Sequence, residues 1–223
     1  PFKKMMGKTY TLNTLEIELP VSALQSLTLS DSTEQDNNET KTYAALDSNS
    51  STTFLLEETK LSKYFRLVKS DTLYNELYKT LKSSSSQLIQ YDSLKINNTI
   101  NAIYTYRDTS TANYIKKIAW TQGGTLYALN AIGAKDAVED IDLHRILKSI
   151  RYTVKPQEFD IYGSKAALLF EDVNSPDTLI AKEAKNTIST HYKFTKDELP
   201  LVYKKLLKRH ADDNMDEGIR VTL

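Results

Sequence analysis

Apolar and polar positions between Ile100 and Thr153 change their period once along the chain. Strand-like alternation comes first, a Gly-Gly turn interrupts it, one more strand follows, and the spacing then becomes helical. The strand runs are Gln87 to Ile96, Ile100 to Arg107, Tyr114 to Thr121 and Thr125 to Ile132. Asn97-Asn98 and Asp108 to Ala112 suit hairpin connections, and Gln122-Gly123-Gly124 suits a tight one. Ile103 alternates with Tyr104 and Tyr106, and Ile118 shares a face with Trp120 and Lys116. Helical spacing from Lys135 to Ile150 places Ala137, Val138, Ile141, Leu147 and Ile150 on one stripe, with acids early and Arg145, Lys148 and Arg151 late, as the helix dipole favours.

Upstream, Thr9 to Leu19 alternates with a slip at Asn13-Thr14 that predicts a bulge or a turn. Ser30 to Ser51 is polar, broken by the short strand-like Tyr43 to Leu46, and Thr52 to Glu57 reads as a strand. Leu73, Leu77 and Leu81 recur every fourth position, predicting a helix opened by Ser70-Asp71 and ended by Ser83 to Ser86. Arg151 to Lys155 suits a short edge strand that Pro156 stops. Beyond it the spacing is helical over Ser164 to Phe170, Ser175 to Thr190 and Lys196 to His210, with another helix opening at Asp213. Ser175 with Pro176, and Asp197 ahead of Pro200, are the expected helix starts; Leu199, Val202, Tyr203, Leu206 and Leu207 form the last stripe.

These elements predict an α+β domain over 1–155, an antiparallel sheet flanked by helices as an α-β-α sandwich. An all-helical region over 156–223 then begins a larger helical unit or repeat. The segment YIKKIAWTQGGTLYALNAIGAKDA and the helix ending ILKSIRYT resemble the closing portion of PsbP/Mog1-like domains. Gly123, Gly124, Leu126, Tyr127, Leu147, Ser149 and Ile150 carry that resemblance, which implies an α-β-α sandwich and binding rather than catalysis.

Charge narrows the function classes. Lysine and arginine equal aspartate and glutamate at 29 each, and dividing the chain at Lys155 uncovers no basic half, so nucleic acid is not an expected partner. With no cysteine, thiol catalysis, disulfides and cysteine-type zinc sites are excluded. No apolar run reaches a membrane-spanning length. A start at Pro1 and an apolar end over Gly218 to Leu223 read as a fragment of a longer protein. The cysteine-free, Ser/Thr/Asn/Tyr-rich composition leans toward an exported or cell-envelope (periplasmic) setting.

Candidate chemistry is sparse. His144, His191 and His210 fall on separate helices; Asp140 and Asp136 precede His144 at helical spacing, a pattern shared by metal faces and, far more commonly, by solvated ones. Asp212, Asn214 and Asp216 open like a calcium loop, but Glu217 stands where glycine is needed and Leu223 where glutamate is, so an acidic helix start explains them better. Lys204, Lys205, Lys208 and Arg209 read as a solvated face, and Gly123-Gly124 joins two strands instead of opening a phosphate-binding helix. No G-x-S-x-G elbow is present, and Glu57 and Glu58 point to opposite sides of a strand. Asn38, Asn49 and Asn97 start N-x-S/T sequons, expected in a chain of this composition.

Fourteen tyrosines, many on strands, suit sheet packing and also suit an interface. The expected function is a non-enzymatic interaction or assembly module with a protein partner and no cofactor or metal. Tyr104, Tyr106, Trp120 and Tyr127 are its candidate binding residues. The alternative is a small-molecule site on the sheet face lined by Tyr104, Tyr106 and Trp120; a hydrolase assembled across the two regions near Pro156 is the least favoured reading.

Overall fold

A computed structural model of the chain describes residues 8–12, 14–20, 27–31, 40–67, 85–96, 99–155 and 157–208. The helix expected over Ser70 to Leu81, the Asn97-Asn98 connection, His210, the 212–223 loop and the helix opening at Asp213 lie outside these residues. The chain divides into two compact units. One comprises Pro1–Leu61 and Ser70–Phe159, the other Ser62–Lys69 and Asp160–Leu223. The border therefore falls after Phe159, not at 155, and the second unit recruits 62–69 from within the first part of the sequence.

In the first unit seven described strands form one antiparallel sheet in the order β3-β4-β5-β9-β8-β7-β6. They are β3 Leu27–Asp31, β4 Thr40–Asp47, β5 Thr52–Lys60, β6 Ser86–Ile96, β7 Thr99–Asp108, β8 Tyr114–Gln122 and β9 Thr125–Gly133. Sequence neighbours pair except where β5 meets β9, so hairpins build most of the sheet. The two-residue turn between β8 and β9 holds Gly123 at φ 57° and Gly124 at φ 76°, the backbone that only glycine adopts without strain.

Alternation in β5 is strict: Thr52, Phe54, Leu56 and Glu58 are buried, while Thr53, Leu55 and Glu57 are less so. Register carries the buried face across to Ala131 and Leu129 of β9, Ile118 of β8 and Ile103 of β7. β4 and β5 are both longer than the runs 43–46 and 52–57, because the charged ends Lys41, Glu58 and Lys60 still complete the ladder.

The Thr9 to Leu19 segment folds as two strands, β1 Lys8–Thr11 and β2 Leu15–Leu19, with the slip in alternation falling between them. They join a separate three-stranded sheet with β10 Arg151–Tyr152. Leu15, Ile17 and Leu19 turn inward and join the cluster of Phe54, Leu56, Ile118, Trp120, Tyr127 and Leu129. Each such large side chain removed from water is worth about 2 kcal/mol.

The continuous helix expected over Lys135 to Ile150 is broken. α1 covers Lys135–Glu139 and α2 covers Leu143–Lys148, with Asp142 between them accepting a capping bond from the Arg145 amide at 3.1 Å. Asp142 competes with the helix for a backbone donor and wins, which restarts the turn and rotates the residues beyond it. Val138, Ile141, Leu143 and Ile146 are buried in consequence, while Leu147 and Ile150 are only partly covered.

The second unit packs α3 Ala166–Asp172, α4 Thr178–Thr190 and α5 Leu199–Leu206. Two helix starts differ from expectation. Asp177, rather than Ser175, caps α4 through the amides of Leu179 and Ile180. Thr195, rather than Asp197, caps a short 3-10 turn over Lys196–Glu198 by a reciprocal box with Glu198, and that turn places Pro200 at the start of α5, where its missing N–H costs little. The last stripe is likewise rotated: Val202 is buried, whereas Tyr203 and Leu207 are 61% and 85% exposed.

Candidate functional site

The seven-stranded sheet ends on β6, which pairs with β7 on one side and with no described strand on the other. Adjacent apolar residues at Leu88 and Ile89 break the two-residue period, and the ladder answers with a bulge. Leu88 pairs with Tyr106 and Gln90 with Thr105, leaving Ile89 without a place in the register. Past the bulge, Leu88 and Tyr91 stand on the same side as Tyr106 and Tyr104. The Tyr91 and Tyr104 rings sit 5.4 Å apart at 58°. Leu88, Ile89 and Tyr91 are 44%, 43% and 55% exposed, a concentration of apolar surface on one strand edge.

On the opposite side of β6 lies a hollow of about 90 Å³, lined by Gln90 and Asp92 of β6, by Ile103, Thr105 and Lys116, and by Ile141 to His144. Lys116 anchors it. Its ammonium donates to the carbonyls of Glu139 at 3.2 Å and Ile141 at 2.8 Å, closing the C-terminal end of α1. Burial holds the Lys116 amine below the ordinary lysine range, against the opposing pull of Asp142, Asp92, Glu139 and Asp140. Both hydrogen bonds fix the amine as a structural donor. His144 lies on the rim, and because the break at Asp142 interrupts the helix, it loses the helical register with Asp140 and Asp136 that a metal face requires. Among the described residues no three His, Asp or Glu side chains gather as a metal site.

The four candidate tyrosine and tryptophan residues do not share a surface. Trp120 and Tyr127 are opposed on neighbouring strands, stacked with centroids 5.3 Å apart, and are 1% and 2% exposed within the core. The Trp120 indole N–H donates to the Tyr152 hydroxyl at 3.1 Å. The Tyr127 hydroxyl bonds Thr14 Oγ1 at 2.8 Å, and Thr14 donates in turn to the buried Glu58 carboxylate at 2.9 Å. Burial raises the Tyr127 phenol above its ordinary value. Tyr104 and Tyr106 occupy the other face, Tyr104 buried and Tyr106 half-covered. A single pocket lined by Tyr104, Tyr106 and Trp120 is therefore excluded by strand register. Alternation alone locates β6 without showing that it is an edge. The one signal for that edge in the sequence is the Leu88-Ile89 pair.

No protein-family model matches the sequence, and no curated protein matches it. Among solved structures, the chain is similar to the solution structure of cyanobacterial PsbP (CyanoP) from Synechocystis sp. PCC 6803. The likeness has 11% identity and a TM-score of 0.47, over 68% of this chain and 95% of that one.

Proposed function

We propose that this chain is an interaction module that takes an extended segment of a partner protein along β6. The observation that carries this reading is the exposed edge itself, with Leu88, Ile89 and Tyr91 on a strand whose outer side meets no described strand. An added strand would gain main-chain hydrogen bonds along the edge, and its alternate side chains would meet Tyr91 on one face and the hollow beside Gln90 and Asp92 on the other. Apolar and aromatic residues suit the first row; a short polar residue suits the second. The Ser/Thr/Asn/Tyr-rich composition is the support for setting the module in an exported or cell-envelope protein.

Selection of a random peptide display library on the full chain, with counter-selection on Tyr91→Asp, tests the proposal. Enriched peptides are expected to be extended and apolar at alternate positions, and to slow amide exchange within residues 86–96. Binders that ignore the Tyr91 substitution, or that protect only residues 166–206, would overturn it.

A further inference from the structure

The second unit is held together by a segment that does not belong to its own stretch of sequence. Ser62–Lys69 groups with the second unit, although the sequence before and after it groups with the first. Within that stretch the described residues 62–67 are built into the helices. Tyr64 is 2% exposed within the cluster of Ala166, Leu169, Phe170, Val173, Ala184 and Ile188. Its hydroxyl donates to Asp172 of α3 at 2.9 Å, and Lys63 pairs with the same carboxylate oxygen at 2.8 Å. Ser62 donates to Glu183 of α4 at 3.2 Å, and the Leu67 amide donates to the Ile161 carbonyl at 2.7 Å.

Arg66 supplies the strongest contact. Its guanidinium donates to Glu198 Oε1 at 2.6 Å and to the Tyr192 hydroxyl at 2.7 Å, with the two charged side chains only 9% and 6% exposed. Glu198 also accepts from Ser164, from Tyr192 at 2.6 Å, and from the Thr195 amide and hydroxyl. Each described helix of the unit, or the turn that starts it, is thus tied to this segment.

We propose that residues 62–67 are a strap whose seating is the condition for the second unit's fold, so that the helices open only by releasing it. Unseating the strap empties the Tyr64 site and leaves the Glu198 carboxylate buried without its cation. A helical unit of this size has little stability to set against both losses.

Hydrogen exchange on the full chain tests this. In Arg66→Ala, amides of α3, α4 and α5 are expected to exchange at least about a hundredfold faster, with β7, β8 and β9 unchanged. Tyr64→Phe, which deletes only the bond to Asp172, gives the graded version: a several-fold acceleration confined to the same helices. Unaltered helix protection in both variants would show the strap to be a passenger. Equal acceleration of helices and β-strands would show the chain to open as one body. Either result overturns the proposal.

Discussion

Acid should loosen the helical unit before the sheet unit, through Glu198. Burial alone would raise this carboxyl, but hydrogen bonds from Ser164, Tyr192, the Thr195 amide and Arg66 outweigh it and hold the group at about 2. An unfolded glutamate titrates near 4.5. Because the folded value is the lower one, the stabilisation is fully present above pH 4.5 and is lost as pH falls toward 2. The gap corresponds to about 3 kcal/mol at 1.36 kcal/mol per pH unit. Urea unfolding at pH 6, 4 and 3 measures it, with helical ellipticity reporting the second unit. Fluorescence of Trp120, the single tryptophan, reports the core of the first. About 2 kcal/mol of that stabilisation is lost by pH 3, so with a slope of about 1–3 kcal/mol/M the helical midpoint should fall by roughly 0.7–2 M between pH 6 and pH 3, while the fluorescence midpoint moves less. Glu198→Gln should begin lower and flatten the dependence. A helical midpoint that falls as steeply in Glu198→Gln as in the native chain would refute the assignment to this carboxyl.

Three more outcomes are expected in the sheet unit. Tyr152→Phe strands the buried Trp120 N–H and should cost about 1–3 kcal/mol, with a change in Trp120 emission; an unchanged midpoint and spectrum would show the 3.1 Å bond to be idle. Lys116→Met leaves the Glu139 and Ile141 carbonyls without their donor and should cost a similar amount, roughly 1–3 kcal/mol, seen as faster exchange over residues 135–148. Deleting Ile89 removes the bulge that interrupts β6, and the flatter edge should associate as concentration rises, by light scattering; a particle size independent of concentration would count against the bulge as a guard.

Much of the sheet was legible because its partners are local. Residues 114–133 state their own hairpin: two strand-like runs, two glycines, and Ile118 brought opposite Leu129 by the turn alone. Where expectation and structure part, two rules competed at one residue. Helical periodicity ran unbroken through 135–150, yet Asp142 restarted the helix as a cap. Pro200 pointed to Asp197 as the start of a helix, yet the Thr195–Glu198 box prevailed by inserting a 3-10 turn ahead of the proline. The tyrosines at 104 and 106 and the aromatic pair at 120 and 127 are all plausible surface residues by type. Only the register sends them to opposite faces. Among the described strands the β6 edge was the least legible feature, since an edge is set by a strand's neighbours and not by its own residues.

The Arg66 to Glu198 contact spans 132 positions and leaves no periodic trace, so no local pattern could have announced it. The same contrast between local and remote partners distinguishes the two units energetically. The core of the first unit is an apolar cluster presented by strands that pair mostly as hairpins, and it responds to lost methylenes and lost turns. The second adds to its apolar cluster a buried charge pair delivered from a remote segment, so it also responds to charge. The partner edge at β6 belongs to the first kind. Binding at Leu88, Ile89 and Tyr91 should therefore survive both acid and the Arg66 substitution, for as long as the sheet that presents them keeps its register.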